Sequence, residues 1–425
     1  MKRGNGYFSQ YRGFRREIYV LFFGRVVTSL GSMVWPVMTL ILNQKMGMDA
    51  ERIAVVMVLA SALMLPANLL GGKLADRFDK KRNIIFFDTV SVACELLAAA
   101  LPLTGTTVVL FVGAGLCQSL EYPSYDALIA DLTKTRDRDR AYSLQYLGSN
   151  LGLVLSPTIA GLLFKDYLWL SFLLSGCAIG LSTLLIAFLV RDTAPEPDEG
   201  AESVYQRAAD DKSILAILRE NPAIVVFMLA VSLYYSAYNQ YSYLMPLDMG
   251  RVHGEQGAVI YGTVSSLNCI VVVVFTPLLT RLLRRLPDPG KMLLGMGLVG
   301  GGYGVFLSLL GRIPAYYAAM LLFTWGEISV TISEGPYLSS RIPASHRGRV
   351  NGVSMVLSGL IHAGVDLTVG RLYSRGGPTK GWLLVFRVLA LAAALSVLLT
   401  VRDRDAYPML YRKNASEEKN SEPAQ

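Results

Sequence analysis

The feature that most restricts this chain is the recurrence of long apolar runs. Twelve of them can be drawn, at 17–42, 52–75, 84–103, 107–131, 141–164, 168–190, 222–247, 258–284, 290–310, 314–339, 348–372 and 382–401. A helix of about 20 residues crosses the hydrocarbon core of a bilayer. Inside that core no water satisfies backbone N–H and C=O groups, so each run must close its own hydrogen bonds as a helix. The expected fold is an all-α membrane protein, with twelve transmembrane helices in two pseudo-symmetric six-helix bundles. Composition agrees: 52% of the 425 residues are hydrophobic and 17% charged, too apolar for a soluble chain of this length.

The net charge of +8 does not point to nucleic acid. The basic residues sit in short loops between spans, at 76–83, 131–140, 191–221, 281–291 and 341–349, and the alternate loops carry fewer. Basic loops stay on the cytoplasmic side, so both termini are expected in the cytoplasm and the protein in a cell membrane, a bacterial inner or plasma membrane. The expected organisation is a cytoplasmic segment at 1–16, a six-helix bundle at 17–191, an acidic and Pro-rich linker at 192–221, a second bundle at 222–401, and a charged, disordered tail at 402–425. The four cysteines, Cys94, Cys117, Cys177 and Cys269, lie inside spans without paired spacing and read as small buried hydrophobes. No metal site and no cofactor is expected. The chain has neither a P-loop nor a nucleophile motif, so an enzyme is not expected either.

The hinge between spans two and three reads Gly71-Gly72-Lys73-Leu74-Ala75-Asp76-Arg77-Phe78-Asp79-Lys80-Lys81-Arg82. Asp76 ends its helix, where the macrodipole disfavours a negative charge, so it should face a cation or another helix's N-terminus. Ala67, Gly71 and Ala75 fall four apart and allow a partner helix close approach. The hinge resembles the loop between helices two and three of the major facilitator superfamily, usually G-x-L-A-D-R-x-G-R-R/K. Gly72, Leu74, Ala75, Asp76, Arg77, Lys80 and Lys81 match it, and Asp79 stands where the family usually has glycine. The resemblance implies alternating access and assigns Gly72, Asp76, Arg77, Lys80, Lys81 and Asp131 to gating. Asp76 would cap a helix of the second half, and Lys80 or Lys81 would pair with Asp131 at the end of span four.

Span five carries Gly148, Gly152, Ser156 and Ala160 at a four-residue period, the pattern of a close helix seam. With Pro157 and Gly161 this run partly resembles the G-x-x-x-G-P-x-x-G-G motif of family antiporters. Span nine is dense in glycine and reads as packing. Glu121-Tyr122-Pro123 in span four and Glu334-Gly335-Pro336 in span ten occupy equivalent places in the two halves, an echo of internal repetition.

Ionisable groups inside a bilayer are costly and therefore functional candidates. They are Arg25, Asp88, Glu95, Glu121, Asp126, Glu327, Glu334, His362, Asp366 and Arg387. Glu327, Thr331 and Glu334 share one face of span ten, and Glu121 shares a face with Gln118 and Tyr125. Burial raises a carboxyl's pKa and a nearby arginine lowers it, so a carboxyl balanced between the two can exchange protons. Glu327, Glu121 and Glu334 are the proton-coupling candidates. In the family, spans one, four, seven and ten line the cavity; the resemblance implies that Arg25 and these acids approach the substrate path. The arginine of the family's span-four R-x-x-Q-G is missing from Gly115-Leu116-Cys117-Gln118-Ser119. Tyr234, Tyr238 and Tyr241, with Asn239 and Trp325, form an aromatic, hydrogen-bonding wall suited to amphipathic cations. His362 and Asp366, four apart, can pair.

The expected function is secondary active transport, proton-coupled export of amphipathic or cationic small molecules, resembling the drug:proton antiporter branches. The expected partners are a small-molecule substrate, protons and the lipid bilayer, with the chain acting as a monomer. The first alternative is a proton-coupled importer of a peptide, sugar or organic anion, for which Arg25 would suit an anionic group. The second is a membrane receptor that binds without transport.

Overall fold

A computed structural model of the chain describes residues 11–134, 137–190, 218–219, 221–341 and 344–406. The first ten residues, most of the expected linker at 192–221 and the end of the tail lie outside the described residues. Among the described residues every regular element is helical. Twelve membrane-length segments follow one another. They are α1 (Arg16–Lys45), α2 (Ala50–Arg77), α3 (Lys80–Ala100), α4 (Gly105–Asp131), α5 (Arg138–Leu153 continued by Ser156–Leu163) and α6 (Leu168–Leu189). In the second half they are α7 (Pro222–His253), α8 (Gln256–Leu282), α9 (Asp288–Ser308), α10 (Ile313–Arg341), α11 (Ala344–Gly376) and α12 (Pro378–Ala406). The chain is an all-α membrane protein of twelve transmembrane helices. Ten of the segments are apolar enough to cross a bilayer on composition alone. The two that fall short, α4 and α10, are the two that carry the Glu-x-Pro runs.

Side chains explain several helix ends. Asp49 and Asp79 cap α2 and α3, accepting from the backbone N–H groups of Arg52 and Arg82 at 2.9 and 2.8 Å. The departure of Asp79 from the family glycine is therefore an N-cap. Two glycines turn the chain back where only a left-handed residue fits, Gly47 after α1 (φ 69°) and Gly254 after α7 (φ 58°). Two long helices are broken. The α-helical turns of α1 stop at Ser32–Met33 and its end winds as a π-helix over Ile41–Lys45. In α7 the break falls at Asn239. The Tyr303 hydroxyl lies 2.8 and 2.9 Å from the carbonyls of Ala237 and Tyr238, covering groups that the break releases.

The described helices gather into two compact units. One holds α1–α6 with residues 241–274 and 309–320; the other holds the first part of α7, residues 275–308 and the chain from Leu321 onward. In the first unit, Ile18, Leu21, Ile84, Leu128, Ile129 and Ile186 make an apolar core where α1, α3, α4 and α6 meet. Large apolar side chains also face outward, among them Val109 and Phe188 at 71% and 70% exposure, as a lipid-facing surface requires.

In the second unit a β-carbon at Gly295 would fall 2.6 Å from the Gly326 carbonyl oxygen, so α9 and α10 touch backbone to backbone. Of the other span-nine glycines, Gly297, Gly301 and Gly304 have open space beside them and reflect no close packing. The polar tail expected from Arg402 begins later. α12 continues to Ala406, and Asp403, fully buried, receives Arg341 and the Tyr337 hydroxyl (2.9 Å).

Candidate functional site

The hinge after α2 is held by its basic end. Lys80 Nζ lies 2.7 Å from Asp131 Oδ2. Lys81 does not share that acid: its ammonium donates to the carbonyls of Ala187 and Val190 at 2.8 and 2.7 Å, at the end of α6, where the helix dipole favours a cation. Asn83, which no motif or spacing singles out, donates to the Leu74 carbonyl (3.0 Å) and the Ser124 hydroxyl (3.3 Å) and ties α2, α3 and α4 together. Asp76 and Arg77 are exposed at the end of α2. Gly72 has open space beside it. Gly71 is the close-approach residue, where an added β-carbon would collide with the backbone of Leu120 in α4.

The α5 seam is built as follows. Gly148 lies against Phe22 and Gly152 against the backbone of α1 at Val26. Gly161 lies against Ala258, and Gly262 of α8 against the Pro157 carbonyl. Ser156 is buried, and its hydroxyl has no partner among the described residues. At the same end of the first unit, the π-helical turn of α1 delivers Lys45. Its ammonium reaches Glu255 Oε1 at 2.9 Å and the Lys165 carbonyl at 3.1 Å. The hydrogen bond and charge of Lys45 hold the Glu255 carboxyl below its ordinary pKa.

The interior of the first unit holds two adjacent polar groups. In one, the Arg25 guanidinium stands over the Tyr125 ring at 4.1 Å and the Tyr122 ring at 5.3 Å. Its electrostatic neighbours are Glu121, Asp126 and Asp88, none of them at ion-pair distance among the described residues. Glu121 and Asp88 are buried. The Thr183 hydroxyl is 2.8 Å from Asp88 Oδ2. The other group surrounds a cavity of about 270 Å³, lined by Trp35, Phe111, Tyr122, Asn68, Gln118 and Glu95 among others. Gln118 thus lies on this cavity. Arg25, Tyr125 and Glu121 sit beside it and do not line it, because the Tyr125 hydroxyl turns to the Leu21 carbonyl and its ring carries Arg25. Sequence reasoning left Glu95 and Tyr122 out of the cavity. The signal for Glu95 was present: Asp88, Ser91 and Glu95 fall at i, i+3 and i+7 and mark one polar face of α3.

In the second unit, the Tyr235 hydroxyl donates to Glu334 Oε2 at 3.0 Å. Glu327 is half-buried, with Tyr234 and Tyr235 as electrostatic neighbours. The tyrosine wall is mostly packing in this conformation. Tyr234 is fully buried, and Tyr238 stacks on Phe323 with centroids 4.8 Å apart. Trp325 packs on Phe275. Tyr241 belongs to the first unit and not to this one. The residue that meets the acids is Tyr235, on the face between. Asn239 lies 3.2 Å from the His362 ring. His362 Nε2 is 3.2 Å from Asp366 Oδ2, and Gln240 donates to the other carboxylate oxygen at 2.7 Å. This network stitches the break of α7 to α11.

Buried acids, a broken first helix and a basic hinge braced on α4 are the parts of a membrane carrier. The profile described as Major Facilitator Superfamily matches residues 21–365. The chain belongs to the major facilitator superfamily. It is a multi-pass membrane transporter. Relatives within the superfamily include a Na(+), Li(+), K(+)/H(+) antiporter of Planococcus maritimus, 24% identical over 75% of this chain and 80% of that protein. The multidrug resistance protein MdtH of Yersinia pestis is 23% identical over 57% of this chain and 58% of its own. Among solved structures, a POT family transporter in complex with a thioalcohol-conjugated peptide superposes with a TM-score of 0.74 at 14% identity, over 92% of this chain and 96% of that one. At that identity the likeness is one of fold, the two-bundle, twelve-helix architecture of the superfamily.

Proposed function

We propose that this transporter exports amphipathic organic cations in exchange for protons. The observation that carries this reading is a charge imbalance. In the interior turns of α1, α3 and α4 stand four carboxyls, Asp88, Glu95, Glu121 and Asp126, and one guanidinium, Arg25, which neighbours all of them but Glu95. Unpaired anions at that depth are costly, so the interior is suited to take up protons or cations. Arg25 would suit an anionic substrate, but it is stacked on Tyr125 and away from the cavity wall, which disfavours the importer reading. A relative named for proton antiport supports exchange. Glu121, Glu327 and Glu334 are the proposed coupling acids. Lys80 and Asp131 brace one state of the carrier at the face of the basic hinge, which we take as cytoplasmic, with both termini on that side. The two bundles are taken to divide at 192–221, and the protein to act as a monomer.

The test is efflux of the cationic dye ethidium from proteoliposomes with and without an inward proton gradient. The unaltered protein should move dye with the gradient. Glu121→Gln and Glu327→Gln should abolish gradient-driven movement while leaving dye exchange without a gradient. Dye that never moves, under either polarity, overturns the reading.

A further inference from the structure

One buried acid stands apart from this coupling scheme. Along the polar face of α3, Asp88 has the Thr183 hydroxyl and Ser91 donates to the Ala114 carbonyl (3.3 Å) and lies 3.4 Å from Gln118 Nε2. Glu95, one turn further on, has nothing. It is 3% exposed, no hydrogen bond or ion pair reaches it among the described residues, and its Oε2 is sealed from water without a partner. Arg25, the one interior cation nearby, counts Glu121, Asp126 and the two tyrosines among its neighbours but not Glu95. A carboxyl in such a place needs a counter-charge that the protein does not supply.

The space beside Glu95 says what kind. The 270 Å³ cavity that it lines has the room of about nine water molecules. That is far more than an alkali ion needs and is near the lower end for a small organic ligand. Its walls are flat and electron-rich. The break of α1 sets Trp35 beside Phe111, with ring centroids 5.2 Å apart and planes at 50°, and Tyr122 lines the same cavity. Aromatic faces attract a cation or its attached ring, and a carboxylate fixes the charged end.

We infer that Glu95 is the anionic anchor of a binding site for a small aromatic cation, whose ring lies against Trp35, Phe111 and Tyr122. This deepens the proposed function and rests on it for the class of cargo. The site is complete within one unit of the protein, so binding does not require transport.

The test is equilibrium binding of tritiated 1-methyl-4-phenylpyridinium to the full-length protein in detergent. The unaltered protein should bind it saturably. Glu95→Gln, which keeps the shape and removes the charge, should weaken binding by about tenfold or more. Glu95→Asp should retain part of it, and Trp35→Ala should weaken it by roughly threefold or more. Asp288→Asn, which removes an acid that is no part of the cavity lining, should change nothing. Size-exclusion profiles and melting temperatures establish that each variant is folded. Binding unaffected by Glu95→Gln, or absent from the unaltered protein, overturns the inference. So does a site that sodium or lithium occupies through Glu95 with no dependence on Trp35. Glu95-dependent binding without gradient-driven efflux leaves the site standing and sinks the export reading. Efflux that is indifferent to Glu95→Gln does the reverse.

Discussion

Adjacent glycines in the hinge should respond oppositely to the same substitution. A β-carbon at Gly71 would come to 3.0 Å or less from the carbonyl oxygen, carbonyl carbon and Cα of Leu120, whereas one at Gly72 meets nothing within 4 Å. Backbone atoms of a packed helix cannot rotate away as a side-chain tip can, so Gly71→Ala must push α2 and α4 apart. Overpacking of this kind costs about 1–3 kcal/mol. Gly72→Ala relieves a glycine in a helix whose conformation alanine adopts freely, a gain of roughly 0.5–1 kcal/mol. The two variants should therefore differ by about 1.5–4 kcal/mol in the order Gly72→Ala above Gly71→Ala. Thermal unfolding in detergent micelles, followed by tryptophan fluorescence, reads this as a gap of roughly 1.5–4.5 °C in Tm for a chain of this length. Valine in place of alanine should widen it at Gly71 alone. Equal melting temperatures, or the opposite order, would show that α2 and α4 do not meet at Gly71 and would refute the packing argument.

Three further outcomes follow from the same geometry. Lys81→Met should destabilise the protein by about 1–2 kcal/mol through two carbonyls left at the end of α6, more than Lys80→Met, whose half-exposed pair with Asp131 is worth about 0.2–1 kcal/mol; a larger effect at Lys80 in melting experiments contradicts the assignment. Asp79→Ala should cost about 1 kcal/mol as α3 loses its cap, while Asp79→Gly, the family residue, should cost only a few tenths. Glu255→Gln should loosen the hold of Lys45 on the start of α8, read as a longer or broader distance between spin labels at Met48 and Gln256. Because this carboxyl's pKa is depressed in the folded protein, its contribution is complete above the unfolded value near 4.3 and is lost only as pH falls through the lower folded value. The difference between Glu255→Gln and the unaltered protein should hence be the same at pH 8 and pH 5 and shrink below about pH 4; a difference that disappears between pH 8 and 6 assigns the effect to another group.

The fold was legible because a bilayer leaves a chain few options. Run length, loop charge and one hinge motif are enough to place twelve helices, and those signals are local in sequence. Broken helices were less visible. The π-turn at Ile41–Lys45 and the break at Asn239 have no proline to announce them; in α7 the break is held by Tyr303, a residue of another helix. Nor did hydropathy reveal that Asp403 would turn inward, since its charge is answered by Arg341, more than sixty residues away in the chain.

The site shows where periodicity stops being informative. A spacing of i, i+4, i+7 states that residues share a face; it does not state what that face meets. Tyr234 and Tyr238 share a face and are consumed by packing, while Tyr235, one residue off the stripe, reaches Glu334. Glu121 and Glu95 are both acids in spans, and sequence reasoning singles out only Glu121. They differ in what stands opposite: Glu121 feels Arg25, and Glu95 faces a cavity. That difference is set by the break in α1, which carries Trp35 to the cavity wall, and by Tyr125, which keeps Arg25 away from it. An acid near the molecule's own arginine is suited to exchange protons, because its partner is always present. An acid that faces an aromatic-walled cavity with no cation of the protein beside it is suited to bind a cation that comes and goes. Two carboxyls of one interior thus take different tasks, and the distinction rests on neighbours that no single stretch of sequence contains.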